Sequence, residues 1–472
     1  MNNKKIARLL TLFAFMFLSL IVYLTVFDLA NHDKYAVETI SEREDHVIRG
    51  KVFDRNKVIL AESTKAEGQR NYPYKNLYCH IIGYKSPVHG ANEIEKLYNS
   101  DLIGKSSTPL IGSALTFMGD LKNAIKGDSD THGYNITLTI DHNLQEAAHK
   151  ALGSYKGSVV ALNPKTGEIL AMVSKPDFDP STASLAESIL NANEKGDKSL
   201  LRRATLEAYP PGSTFKLIDA AAMIENGMDD FTFNDKGKLT VKVKNYGEDE
   251  GKFLGETNLE QGFIHSSNIY FSEAGIKLGG SRIISMAKSF MFESEIPLGK
   301  LGVAKSKLPE SVTSNGDITN LSLGQGDVKA TPLHLALIAS AIANDGTMMT
   351  PYIIDSISGP AGIKTSPVKL KKCIKPSTAS QLKKLMRSCV ESGTGIGASV
   401  PGIEVCGKTG TSEVDTKKNT AHALFVGFAP YDNPEIAICV VAENLPHQNT
   451  GGSIAAPIAG KVLNKYFELN KE

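Results

Sequence analysis

Apolar and polar positions change period several times along the chain. From Leu9 to Phe27 the run LLTLFAFMFLSLIVYLTVF carries no charge; as a helix it spans about 28 Å, enough for a bilayer core. Residues 28 to about 135 are mixed and polar. There VIRGKVFD and KVILAES predict two strands joined by the turn Asp54-Arg55-Asn56-Lys57, and LYCHIIGY reads as a further strand. The period lengthens in NLQEAAHKAL, where Leu144, Ala147, Ala148, Ala151 and Leu152 fall at helical spacing behind Asp141 as cap. GSVVALNPKTGEILAMVS predicts a hairpin around Pro164-Lys165-Thr166-Gly167. Between about 180 and 390 the pattern is mainly helical, most clearly in a segment entered through Thr331-Pro332 and ended by Asn344-Asp345-Gly346. Strand character returns in GIEVCGKTGTSE, HALFVGFAP and EIAICVVAE, and APIAGKVLNKYFEL closes the chain as a helix. Strands, helices, then strands again predict one α/β domain whose sheet is assembled from both ends of the segment.

Charge turns the first run into a topology. Lys4, Lys5 and Arg8 precede it, and Asp28, His32 and Asp33 follow it, which predicts a cytoplasmic N-terminus and a bulk outside the membrane. The exit Phe27-Asp28-Leu29-Ala30 lacks the small residues of a signal-peptidase site, so the run reads as an uncleaved anchor. The expected layout is a cytoplasmic tail (1–8), a transmembrane anchor (9–27), an N-terminal domain (28–135) and a catalytic domain (136–472). With 52 basic and 51 acidic side chains and no Trp, nothing points to nucleic acid. Five scattered cysteines form no C-x-x-C pair and no disulfide scaffold. Cys406, Cys439 and His422 could meet on adjacent strands and hold a metal; buried apolar thiols are the commoner reading.

The stretch GIEVCGKTGTSEV, residues 402 to 414, fits two chemistries. Gly402 to Thr409 satisfies the Walker A phosphate loop, and Lys408-Thr409-Gly410 spells K-T-G. A phosphate loop needs a Gly-rich turn and a helix beginning at the Lys-Thr. Here Ile403, Glu404, Val405 and Cys406 favour a strand, and Gly410-Thr411-Ser412 is a poor first helical turn. The nucleotide reading fails on both counts. The other reading demands an S-x-x-K opening a helix and an S-x-N between. Ser213-Thr214-Phe215-Lys216 follows Pro210-Pro211-Gly212, and Ser266-Ser267-Asn268 comes next in order. Ser and Lys three apart on a helix share a face, about 5–6 Å apart at their β-carbons, so the amine can relieve the hydroxyl of its proton. Lys216 can do so only if burial and the nearby Lys408 lower its pKa. The second K-T-G, Lys165 to Gly167, lies in a turn and reads as structural.

With these motifs the chain resembles the class B penicillin-binding proteins, which are monofunctional peptidoglycan DD-transpeptidases. RGKVFDRNKVILA, YPPGSTFK, SLGQGDVKATPLHLA, GTGIGASVPGIEVCGKTGTSE and FVGFAP extend the likeness over nearly the whole length. Arg202 and Leu424 depart from residues common in that family, without removing a catalytic group. The resemblance implies an α/β fold of α+β type, a penicillin-binding or serine β-lactamase-like domain with an antiparallel sheet flanked by helices. A small N-terminal pedestal and one transmembrane helix complete it. It also implies roles. Ser213 attacks the carbonyl between the terminal D-alanines of a stem peptide, Lys216 accepts the proton and Ser266 relays it to the leaving amine. Asn268 positions the lysine, Lys408 supplies positive charge, and Thr409, Gly410 and Thr411 bind substrate, the two threonines holding its carboxylate. Backbone N–H groups of Ser213 and Thr411 form the oxyanion hole. No cofactor is implied, and β-lactam antibiotics are expected ligands.

Rival functions share this chemistry. A β-lactamase or β-lactam sensor uses the same motifs, and Glu187 to Asn191 mimics E-x-x-L-N, but it precedes Ser213 and reads as helix surface. A DD-carboxypeptidase differs only in its acceptor, water. A catalytically dead scaffold conflicts with the intact Ser213, Lys216, Ser266 and Lys408. Only about 110 residues separate the anchor from TLTID, too few for a glycosyltransferase domain, so the resemblance implies a separate membrane glycosyltransferase partner of the SEDS type. The charged turn at Asp54 reads as a solvated tip or a brace between domains.

Overall fold

A computed structural model describes residues 8, 11–20, 23, 47–65, 70–104, 131–194, 198–241, 253–359, 362–415, 420–446 and 448–471. In chain order the elements that frame the site are β1 (Val52–Phe53), β2 (Ile59–Ala61), β3 (Ile136–Leu138), α1 (His142–Leu152), β4 (Gly157–Leu162) and β5 (Ile169–Lys175). The helices α2 (Thr182–Glu194), α3 (Lys216–Glu225), α4 (Leu259–Ile264), α5 (Asn268–Leu278) and α6 (Pro332–Ala343) follow. Then come β6 (Ile354–Ile357), β7 (Ile363–Lys364), α7 (Pro376–Ser392), β8 (Cys406–Asp415), β9 (Thr420–Ala429), β10 (Ile436–Pro446) and α8 (Ala456–Leu469).

The main sheet has the order β8-β9-β10-β4-β5 and every neighbouring pair is antiparallel. It is built from both ends of the segment, as the pattern predicts, because β10 pairs with β4 across the intervening helices. Both of its faces are buried. On one, α1 and α8 set Leu144, Ala148, Leu152, Ile458, Val462 and Leu463 against Val159, Ala161, Ile438 and Val440. On the other lies α6, buried at each of its positions. A helix apolar all round must be enclosed by protein. Pro332 opens it, and Thr331 caps it by accepting the His334 N–H.

A second sheet, β7-β6-β3-β1-β2, ties residues 52–61 to the rest. The hairpin over Asp54 forms as expected, and its turn is a brace. Asp54 has no exposed surface; Oδ1 accepts the N–H groups of Asn56 and Val58, and Oδ2 that of His142. Asn56 donates to Asp141. Nearby, Glu95 is buried between Arg49 and Arg70, each 2.7 Å away. Burial alone raises its pKa, but the two guanidiniums outweigh that and hold it below the usual carboxylate range.

Two local expectations are corrected. Residues 77–84, LYCHIIGY, form no strand: a 3₁₀ turn at Lys75–Tyr78 runs into further turns. The run is apolar because it is a wedge buried on several sides. Tyr78 bonds His142, His80 bonds the Ser199 carbonyl, and Cys79 and Tyr84 pack with Phe178 and Leu185. The strand predicted from Ile403 begins at Cys406, since Pro401-Gly402 turns the chain with Gly402 at φ +76° and Val400 bridges Ile403. Of the stretch 9–27, residues 11–20 are helical and Tyr23 is described; the rest, with residues 28–46, lies outside the described residues. Among the described residues no helix is long and apolar enough to cross a membrane.

Candidate active site

The S-x-x-K segment enters through Pro210-Pro211 and a glycine at φ +53°. A Cβ on Gly212 would stand 2.6 Å from the Thr411 carbonyl oxygen, so only glycine lets this turn approach β8. Residues Gly212–Phe215 form a 3₁₀ turn that runs directly into α3. Ser213 is half-buried on that turn. Lys216, the first residue of α3, has no exposed surface. Its Nζ donates to the Ser266 carbonyl at 2.7 Å and to Asn268 Oδ1 at 2.6 Å, and lies 3.4 Å from Ser266 Oγ.

Ser266 stands between α4 and α5 in the left-handed region, φ +58°, which few residues with a side chain adopt. That conformation turns both its carbonyl and its hydroxyl toward Lys216. Its neighbour Ser267 fixes the turn: Oγ accepts the Tyr270 N–H as cap of α5 and donates to buried Asp235 at 2.6 Å. Asn268 is thereby held as the first residue of α5.

The K-T-G lies on β8, an edge strand of the main sheet. Lys408 is fully buried, and its Nζ donates to Ser266 Oγ at 2.9 Å and to the Thr409 carbonyl at 3.1 Å. Burial lowers its pKa below the ordinary lysine value, with Cys389 opposing weakly. The hydroxyls of Thr409 and Thr394 are 2.6 Å apart, and Thr411 Oγ1 accepts the Gly451 N–H at 3.2 Å. A Cβ on Gly410 would meet the Pro211 oxygen at 2.8 Å and Thr214 Cγ2 at 2.9 Å, so this glycine sets how closely the strand and the Ser213 turn pack.

The structure thus gathers Lys216, Ser266, Asn268 and Lys408 into one hydrogen-bonded cluster, with Ser213 one helical turn from Lys216 and Gly410-Thr411 against its turn. The other candidates fall elsewhere. Cys406 lies opposite Phe428 and Cys439 opposite Val426, but His422 is opposite Ser412 at the far end of β9, edge-on to Tyr209. Among the described residues no three His, Cys, Asp or Glu side chains come together as a metal would need. Lys165 sits in the β4–β5 turn and bonds Asn433, and Glu187 is exposed on α2. Sequence reasoning missed Thr394, Gly451 and Asp235 as supports of the site. They are distant in sequence from the groups they hold, and no spacing signals them. It also missed Asp219, a buried acid one turn beyond Lys216.

Fold and site together are those of a serine-type transpeptidase domain, with Lys216 and Lys408 both held at the Ser266 hydroxyl. The penicillin binding protein transpeptidase domain family matches residues 157–464, and the penicillin binding protein A dimerisation domain family matches residues 49–128. The chain is 33% identical over 430 residues to the peptidoglycan D,D-transpeptidase PbpA of Mycolicibacterium smegmatis, covering 85% of each chain. It superposes on penicillin-binding protein A of M. tuberculosis, solved as a ceftriaxone acyl-enzyme complex, with a TM-score of 0.82 and 30% identity over 89% of this chain and 99% of that one. Penicillin-binding protein 2 of Pseudomonas aeruginosa gives a TM-score of 0.72 and 29% identity, covering 89% and 95%. The chain belongs to the penicillin-binding protein transpeptidase family.

Proposed function

We propose that the chain is a peptidoglycan D,D-transpeptidase that cross-links stem peptides through an acyl-enzyme on Ser213. One observation carries the assignment of groups: Ser266 Oγ lies between Lys408 Nζ at 2.9 Å and Lys216 Nζ at 3.4 Å, so a single hydroxyl joins all three motifs. In this reading Ser213 Oγ attacks the penultimate D-alanine carbonyl and its proton passes to Lys216, which Asn268 orients. The tetrahedral oxyanion takes N–H groups of Ser213 and Thr411. Collapse expels D-alanine, whose nitrogen receives a proton through Ser266. An amine from a neighbouring stem peptide then takes the acyl group. Lys408, Thr409 and Thr411 receive the donor carboxylate, and a β-lactam occupies the same place.

The same reading extends to the layout. The uncharged run 9–27 anchors the protein in the cell membrane with its N-terminus cytoplasmic, and residues 28–135 form a pedestal beneath an extracytoplasmic domain that starts near residue 136. Support comes from the flanking charges and from the buried Asp54 brace. A SEDS-type glycosyltransferase supplies the glycan strands. The test is mass spectrometry of the intact protein after benzylpenicillin treatment: one adduct is expected, on the peptide holding Ser213. An adduct that persists in Ser213→Ala overturns the assignment.

A further inference from the structure

A cavity of about 730 Å³ opens at one end of the main sheet, within the range of small-molecule sites. Its lining includes Glu413 on β8, His422 on β9 and Glu443 on β10, together with Tyr209, Lys156 and Lys329. The acids are accounted for. Glu443 forms a buried pair with Arg203 at 2.8 Å, Glu207 pairs with Lys198 at 3.9 Å, and Glu413 is engaged within the protein. His422 is neutral near pH 7: burial lowers its pKa to about 4, and its Nδ1 accepts the Asn444 N–H. Lys156 and Lys329 form no ion pair among the described residues; Lys156 is exposed, and half-buried Lys329 has its pKa lowered by burial and raised in part by the nearby Asp327. The lining therefore offers two cations to a ligand.

The direction of the donor leads there. Edge strand β8 presents backbone groups to which a peptide can add. The Ser213 turn abuts Thr411, so the scissile carbonyl lies there, and the leaving carboxylate lies toward Lys408 and Thr409. A peptide so placed runs antiparallel to β8, and at about 3.3 Å per residue its upstream part reaches Glu413 two residues on. We propose that the cavity receives the anionic portion of the donor stem peptide, a carboxylate borne upstream of the scissile bond and neutralised by Lys329 and Lys156. This rests on the transpeptidase reading and adds a preference for acidic donors to it.

The experiment compares the unaltered protein with Lys156→Ala/Lys329→Ala. The probes are benzylpenicillin and two thioester donors ending in a D-alanyl thioester, identical except for a free carboxylate or a carboxamide on an upstream residue. In the double variant kcat/KM for the carboxylate donor should fall about tenfold, the equivalent of one good charge interaction. The carboxamide donor and benzylpenicillin acylation should stay within about twofold, and the discrimination should shrink with added salt. Equal losses for both donors, or none, overturn the proposal. So does a loss confined to transfer onto an added amine, which assigns the cavity to the acceptor. Failure of benzylpenicillin to acylate the unaltered protein defeats the transpeptidase reading instead, so the two failures are distinct.

Discussion

Asp219 offers a test of the physics around Lys216. It lies one turn beyond that lysine on α3, is 2% exposed, and neither carboxyl oxygen has a hydrogen-bond partner among the described residues. Burial raises its pKa well above the carboxylate range, and the nearby Lys216 charge draws it only part of the way back. In the unfolded chain the group ionises near pH ~3.9. Above that pH the folded state binds more protons than the unfolded state, so this group makes stability fall as pH rises. The slope is up to about 1.4 kcal/mol per pH unit and ends at the raised folded value. Asp219→Asn keeps the shape and removes the titration. Between pH 5 and pH 8 the parent should therefore lose stability relative to the variant, by up to about 4 kcal/mol if the folded-state group stays protonated throughout, seen as up to about 8 °C in Tm. Melts of the purified protein from pH 5 to 8.5 decide it. A difference that does not change with pH, or an Asn variant less stable at pH 8, would show that the acid is ionised and paired with Lys216, and the reasoning would be wrong.

Three further outcomes follow from the geometry. Gly410→Ala inserts a methyl 2.8 Å from the Pro211 oxygen and 2.9 Å from Thr214 Cγ2; we expect about 1–3 kcal/mol of destabilisation and β-lactam acylation slowed about 10²-fold as the nucleophile turn shifts, measured by stopped flow. Lys408→Ala should slow acylation by about 10²–10³-fold, while equilibrium dialysis finds no ATP bound to either protein; ATP bound by the parent and lost in the variant would restore the phosphate loop. A protein beginning near residue 136 should still melt cooperatively and be acylated, but at a lower Tm, because β3 loses its partner β1 and the core loses the 77–84 wedge; a folded but inert one would place part of the active site before residue 136.

What was legible in the sequence is what depends on local chemistry. The capped helix after Asp141 shows in its cap and period, and α6 shows in its Thr-Pro entry and unbroken apolar run. The motif order identified the residues that meet, because each motif carries its own structural demand: a helix start, a turn before a helix, an edge strand. What could not be read depends on contacts between distant segments. LYCHIIGY looks like a strand because a wedge buried on several sides and a buried strand share one composition. Cys406, Cys439 and His422 were candidates for one metal only because strand register is invisible in sequence, and the register sends the histidine to the other end of the sheet. Thr394 and Gly451 support Thr409 and Thr411 from different elements, with nothing in their own spacing to mark them.

The burial of Lys408 has a consequence for substrate binding. Two lysines without exposed surface share the Ser266 hydroxyl, and burial lowers the Lys408 pKa. Without a ligand, Lys408 therefore loses its proton at lower pH than an exposed lysine does. A donor carboxylate beside Thr409 and Thr411 places a negative charge near that ammonium and raises its pKa again. Binding and protonation are then linked: the charged lysine binds the donor better, so affinity should fall as pH rises through the free protein's depressed value and level off only above the higher value of the complex. Ser213→Ala prevents acylation, and NMR line broadening of a stem pentapeptide from pH 7 to 10 reports its affinity. The affinity should decline at the alkaline end, and in Ser213→Ala/Lys408→Ala it should be weaker and flat. If the double variant keeps the same alkaline decline, another group carries the titration, and Lys408 is not the cation that receives the donor.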